Sequence, residues 1–208
     1  MDLTSGPWGW DSELGYTITF AAGTTPRAAL TAYGAGPAGL LTLTWDQTVQ
    51  RNPENSVRAG IVGDWAFCFE YVGYRATQPG LLARLSAGTE VFSVFHGSGK
   101  CFVHAYRDRR RWASFEPGAP RSARGPQARQ FAEHTHHLMR SRHLCARHAA
   151  LEMVAEHLGA RVTRRVLAGP LLTAYLPADS HPASPPSMSG HASRRGLGRP
   201  IGTLNADL

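Results

Sequence analysis

Five short segments between Val57 and Phe115 constrain this chain most: each runs for six to eight residues and ends in a tight polar turn. VRAGIVG and AFCFEYVG read as a hairpin with GDW as the turn. Its second strand puts Trp65, Phe67, Phe69 and Tyr71 on one face and Ala66, Cys68, Glu70 and Val72 on the other. EVFSVF, CFVHAY and RRWASF follow, joined by HGSGK and RDR. Consecutive short strands with tight turns predict an antiparallel meander.

The flanks supply helices. YTITF, Tyr16 to Phe20, has the period of a half-buried strand and feeds GTTPRAALTAYG. There Thr24 or Thr25 can cap, Pro26 fits a first turn and Gly34 can end the helix. PGLLARLSAG predicts a second short helix, opened by Pro79, closed by Gly88 and buried through Leu81, Leu82 and Leu85. These two helices are expected to cover one face of the sheet. Gly39 to Val49 (GLLTLTWDQTV) fits strand or helix, and QRNPENS reads as a loop.

After Phe115, EPGAPRSARGP reads as a loop, and a helical pattern begins at Gln127. Phe131, Leu138 and Cys145 recur at seven-residue spacing, as do Ala132 and Met139. Leu151, Val154, Leu158, Val162 and Val166 form a later stripe that Gly159 can break, and LLTAYLP reads as a docking segment. From Ala178 the chain is Ser, Pro, Gly and Arg with few large apolar residues. The expectation is one α+β domain over residues 1–177, with an antiparallel sheet meander, short helices on one face and C-terminal helices. A disordered Ser/Pro/Arg tail is expected over residues 178–208.

With 42% apolar residues the 208-residue chain can build a core, and its apolar runs are far shorter than the ~18 residues of a membrane span. MDLTSGPWGW lacks the basic start and apolar stretch of a signal peptide. Cys68, Cys101 and Cys145 are odd in number and widely spaced, so reduced thiols and a cytoplasmic setting are expected. Charge is uneven. Residues 1–100 carry 6 Lys/Arg against 8 Asp/Glu and residues 101–208 carry 16 against 7, giving −2 and +9. Lys100 is the sole lysine, and an Arg, Ala, Gly and Pro-rich composition also follows from a high-GC genome, which weakens basicity as a sign of nucleic-acid binding.

The order YTITFAAGTTPRAALTAYG, VGDWAFCFEYVG, LLARLSAGTEVFSVFHG, ASFEPGAPRSARGP and ALEMVAEHLGARVTRRVLAGPLLTAYLP resembles the actinobacterial domain-of-unknown-function family 6461. The resemblance spans roughly residues 8 to 177 and is most specific in GDWAFCFE, LSAGTEVFSV and FEP followed by Arg121 and Gly125. It implies a mixed α and β fold and a bacterial cytoplasmic setting, and it brings no established catalytic residues. Where such members have an acidic Asp-Gly hairpin, this chain reads YRDRRRW.

Candidate chemistry is sparse. GSGK, Gly97 to Lys100, lacks the spacing of a phosphate loop and leads into a strand, so it reads as a hairpin turn. The GxSxG, HExxH and HxE with PCxxC signatures are absent. EHTHHLMRSRHLCARH, Glu133 to His148, holds five histidines. On one helix His136 and His143 would sit two turns, about 10 Å, apart. His134 and His137 are one turn apart and could chelate a metal with Glu133, His143 or Cys145 as a third ligand. The alternative is a solvated helix face beside Arg140, Arg142 and Arg147, and no metal or other cofactor is expected. Glu70, an acid in an apolar strand, is either paired structurally or a buried general acid. Phe102, His104 and Tyr106 share a strand face.

Trp8 and Trp10, in PWGWD, read as an exposed hook for a partner or as a seal on the sheet edge. Arg109, Arg110, Arg111 and Trp112, with Arg121 and Arg124 in the next loop, fit an acidic partner. The expectation is a noncatalytic protein-interaction module, regulatory or immunity-like, binding a protein partner. The alternatives are an accessory nucleic-acid binder acting through the arginine hairpin and an enzyme using Glu70 or the histidine helix. No membrane partner is expected; oligomeric state is not encoded in these patterns.

Overall fold

The structure, a computed structural model, describes Trp8, Trp10 and residues 14–177. The segment read as a tail, 178–208, lies outside the described residues. Among the described residues nine strands form one sheet: β1 (Tyr16–Ala22), β2 (Leu40–Leu43), β3 (Ser56–Val62), β4 (Trp65–Tyr71), β5 (Glu90–Gly97), β6 (Lys100–Arg107), β7 (Arg110–Glu116), β8 (Ala119–Arg124) and β9 (Leu171–Tyr175). Their order is β2-β9-β3-β4-β1-β5-β6-β7-β8, and every pairing is antiparallel. The expected α+β fold with an antiparallel meander is what the chain adopts.

Among the described residues six α-helices complete it: α1 (Pro26–Ala32), α2 (Trp45–Val49), α3 (Pro79–Leu85), α4 (Ala128–Ser141), α5 (Ala146–Leu158) and α6 (Arg164–Ala168). The alternation read in β4 divides the core in two. Trp65, Phe67 and Phe69 join Ile18, Phe92, Val94, Val103 and Phe115 on the first face, under Phe131 and Leu138 of α4 and Leu151 and Val154 of α5. Cys68 joins Ala21, Val57, Ala59 and Val91 on the second face, under Leu30 of α1 and Leu81, Leu82 and Leu85 of α3. Bulky residues meet the long helices and small ones meet the short helices.

Helix length decides how far each cover reaches. A seven-residue helix is about 10 Å long, roughly two strand spacings. Accordingly α1 lies on β3 and β4, and α3 on β5 and the Tyr106 end of β6. The 14-residue α4 and 13-residue α5 span the first face from β5 to β8.

Several readings are corrected. GLLTLTWDQTV is neither one strand nor one helix: it splits into β2 and α2 at Thr44, whose side chain accepts from the Gln47 N–H while Gln47 accepts from the Thr44 N–H. EPGAPRSARGP contains β8, an edge strand in which Pro120 and the exposed Arg121 and Arg124 oppose further pairing. LLTAYLP supplies β9, inserted between β2 and β3. The histidine-rich stretch is not one helix: α4 ends at Ser141, His143 has φ 53°, and Cys145, exposed rather than buried, starts α5. This break lets α5 pack back against α4. Gly159, at φ 65°, ends α5, so Val162 and Val166 lie beyond the helix.

Arg58 holds the β9 side together. Its side chain is fully buried in β3; Nη2 donates to the carbonyls of Leu43 (2.8 Å) and Gly169 (2.9 Å), and Nη1 donates to that of Leu167. Trp45 lies 5.6 Å from the guanidinium. Burial lowers its pKa to about 10, which still leaves it charged at neutral pH. One cation thus closes three carbonyls, one at the end of β2 and two at the end of α6. No helix among the described residues is long and apolar enough to cross a membrane.

Both hairpins flanking β6 turn through two residues at positive φ: Ser98 and Gly99 (51° and 72°), and Asp108 and Arg109 (48° and 66°). Arg109 lacks glycine's freedom there and is held by its N–H, which donates to Ser86 Oγ at 3.1 Å. Arg109→Gly is expected to stabilise the fold by about 0.5 to 1 kcal/mol, read as a higher urea midpoint at unchanged slope. A lower midpoint would show that the turn is not strained.

Candidate functional site

Glu70 is the next-to-last residue of β4, its side chain buried beneath α1 and the 3-10 turn Arg75–Thr77. Oε2 accepts from the Arg75 N–H (2.9 Å), and Oε1 accepts from the Ala76 N–H (3.1 Å) and from the Tyr33 hydroxyl (3.3 Å). Thr19 and Ser93 extend this network: Tyr33 also bonds Thr19 at 3.1 Å, and Ser93 Oγ donates to the Ala76 carbonyl at 2.8 Å. A Cβ on Gly73 would lie 2.6 Å from Glu70 Oε2, so glycine is needed where the loop passes the carboxylate. Burial raises the Glu70 pKa to about 7, against the opposing pull of the Arg75 and Ala76 N–H groups, the Arg75 charge and the Tyr33 hydroxyl. The nearby Cys68 thiol is also pushed up, chiefly by burial. Both carboxylate oxygens are engaged in fastening a loop to the sheet.

The tryptophans are not an exposed hook. Trp8 and Trp10 are 1% and 5% exposed and pack edge to face at 5.8 Å, with Trp10 also against Tyr16 and Phe69. Trp10 Nε1 donates to the Val162 carbonyl at 2.8 Å, and Arg161 lies over the Trp8 ring. They seal the first core.

The histidines are separated. His134 Nε2 lies 2.7 Å from Glu156, His137 faces out from α4, and His143 sits in the break after it. Among the described residues no group of three or more His, Cys, Asp or Glu could hold a metal ion. The stretch instead contributes to an ionic seam in which Arg142 bridges Glu152 and Glu156 and Arg161 also meets Glu152. A second tie lies nearby. Glu90 binds Arg107 and His157, Arg107 stacks over Trp112 at 3.8 Å, and His157 sits 4.6 Å from Phe92. Neither Glu90 nor His157 stands out in the sequence, since the two are 67 residues apart.

The arginine hairpin divides between the two faces. Arg107 pairs with Arg110 beside Trp112, which is half-buried against Phe92 and Phe131 on the first face. This removes Trp112 from the exposed basic cluster. Arg111 pairs instead with Tyr106 on the second face because the register shifts between Ala105 and Tyr106. Arg109, Arg110 and Arg111 are all exposed.

On that second face the short helices stop, and a different surface begins. Phe95 of β5 stands opposite Phe102 of β6, their rings 6.3 Å apart and 19° from parallel. His104 continues the row, 6.3 Å from Phe102 at 17°. All three are half-buried, whereas Val94, Val103 and Ala105 on the other face of the same strands are wholly buried. His104 Nδ1 lies 3.0 Å from Ser114 Oγ, which fixes the ring. Burial and then the Arg111 charge lower its pKa to about 4, so it is neutral at physiological pH. Arg124 stands opposite Ser114, which puts a second exposed arginine on the same face. Period-two alternation in CFVHAY already aligns Phe102 and His104; Phe95, Ser114 and Arg124 join them only through register.

A family model described as a family of unknown function (DUF6461) matches residues 7–169. No curated protein and no solved structure matches the chain.

The raised pKa of Glu70 has a definite pH signature. The folded protein keeps this proton above the ordinary carboxylate range, so the associated stability is full below about pH 4.5 and is lost as pH rises through 7. The loss is on the order of 3 kcal/mol. Glu70→Gln, neutral throughout, is less stable because an amide N–H faces the backbone N–H groups, but its deficit narrows between about pH 5 and pH 8 in urea unfolding. A constant deficit would show that Glu70 does not titrate there.

Proposed function

The chain belongs to a family of unknown function (DUF6461), and we propose that it is a noncatalytic interaction module that holds an anionic macromolecule on the open β5–β8 end of its sheet. One observation carries this reading: beyond the reach of α3, the second face presents the parallel rings of Phe95, Phe102 and His104 beside Arg111 and Arg124. Half-exposed aromatics flanked by arginines are costly to leave in water and are the residue types that dominate binding energetics. Residues 101–124 carry six arginines against Asp108 and Glu116, a balance that favours an anionic partner.

The partner surface thereby moves from Trp8 and Trp10, which are core residues, to the sheet face. A noncatalytic role is supported by Glu70, whose two oxygens serve a loop, and by histidines that are spread over α4, α5 and the break between them. The odd number and wide spacing of Cys68, Cys101 and Cys145 support a bacterial cytoplasmic setting. Strain at Arg109 supports a binding role for the arginine hairpin: a charged side chain occupies a turn position that glycine fills at lower cost.

The test is affinity capture from a lysate of the source cell by the full chain and by a Phe102→Ala, Arg111→Gln double variant, with and without nuclease. A component held in stoichiometric amount by the wild type and lost by the variant is expected. Identical captures by the two proteins would remove the sheet face as the binding surface.

A further inference from the structure

We propose that the anionic partner is single-stranded nucleic acid, with bases stacked on Phe95, Phe102 and His104 and phosphates held by Arg111 and Arg124. This inference rests on the open-face reading and names its ligand. Three adjacent rings within 19° of parallel form a repeated apolar surface on two neighbouring strands. Every nucleobase has a π-face that such rings accept, whatever the sequence. An acidic protein segment would use the arginines but has no comparable use for a row of flat rings.

The details of the face fit that chemistry. Ser114 pins the His104 ring through the 3.0 Å contact, so its orientation is set before any ligand arrives. A neutral imidazole adds a flat ring rather than a further cation. Arg111 lies one strand from the rings through its pairing with Tyr106, and Arg124 lies one strand further through its pairing with Ser114. Arg124 Nη1 donates to the carbonyls of Arg121 and Ala123, both at 2.9 Å, which anchors its guanidinium beside the edge strand. A chain crossing β5 to β8 would therefore meet rings first and cations next. Arg109 and Arg110 at the hairpin end extend the positive field. The same stretch carries two acids, Asp108 in the turn and Glu116 at the end of β7, on the strand face of Ser114.

The same geometry selects against duplexes. Paired bases stack on one another and hide their faces, leaving a duplex only the arginines to bind. Single strands should thus bind more tightly than duplexes of the same length, and loss of a ring should matter only to the single strand.

Fluorescence anisotropy of the full chain with short labelled oligothymidine, oligouridine and a duplex, over a range of salt, tests this. Single strands are expected to bind in low salt, Phe102→Ala to weaken them by roughly tenfold or more, and Phe102→Tyr to retain affinity. Arg111→Gln and Arg124→Gln should each reduce the salt slope by about 0.7. Urea unfolding of Phe102→Ala separates lost binding from lost folding, and Phe102→Leu, which removes the ring but keeps apolar bulk, covers the case in which the alanine variant unfolds. Absence of single-strand binding at low salt would overturn the inference, as would a duplex bound equally well with Phe102→Leu, Arg111→Gln and wild type indistinguishable. If oligonucleotides fail while lysate capture still depends on Phe102 and survives nuclease, the partner is an acidic protein: the open-face reading stands and this inference falls. If both fail, both fall.

Discussion

An open sheet of nine strands has two broad faces to shield, and the lengths of the helices that shield them organise the rest of this molecule. The long α4 and α5 bring Phe131, Leu138, Leu151 and Val154 onto the first face, where the sheet supplies its bulky residues. On the second face α1 and α3 are each seven residues long, about 10 Å, and cannot span nine strands at ~4.8 Å spacing. The composition of the strands follows this asymmetry. Small residues such as Ala21, Ala59 and Cys68 lie beneath the short helices, and half-exposed rings with arginines occupy the remainder.

Two buried ionisable groups complete the architecture. Glu70 closes the N–H groups of a loop over the centre of the sheet, while Arg58 closes carbonyls from β2, α6 and the approach to β9. Each hydrogen-bonds backbone groups in turns and at the ends of elements, a need that grows when irregular segments are folded against a core. Their perturbed pKa values thus arise from burial in structural roles. A titratable group far from its ordinary value is a candidate for chemistry only when it also has a substrate's access and an unspent hydrogen-bonding capacity.

The proposed binding surface takes shape from a small irregularity. The register shift between Ala105 and Tyr106 sends Trp112 to the first face and Arg111 to the second. Without it the aromatic and basic residues of RRRW would alternate differently, and the open face would lose the cation nearest its rings. Arg107 is meanwhile occupied by Glu90 and Trp112, which leaves the exposed arginines at the turn and on the β7–β8 side as the basic surface of this end.

Strand periodicity, turn residues and helix punctuation act over a few residues, and for that reason the α+β class, the β3–β4 hairpin, the β5–β6–β7 meander and both short helices could be read directly from the sequence. So could the two-faced division of β4 and the alignment of Phe102 with His104. Other features depend on partners distant in the chain. The placement of β9 beside β3, the burial of Trp8 and Trp10 and the three-carbonyl clasp of Arg58 come from contacts across tens to more than a hundred residues. The histidine-rich stretch shows the same limit: local spacing allowed one continuous helix, but packing of α5 back on α4 broke it at His143. Sequence by itself determined which residues alternate and where the chain can turn, because those preferences are local. Tertiary structure alone decided which alternating face is covered, because that depends on how far a helix reaches across strands brought together from the whole chain.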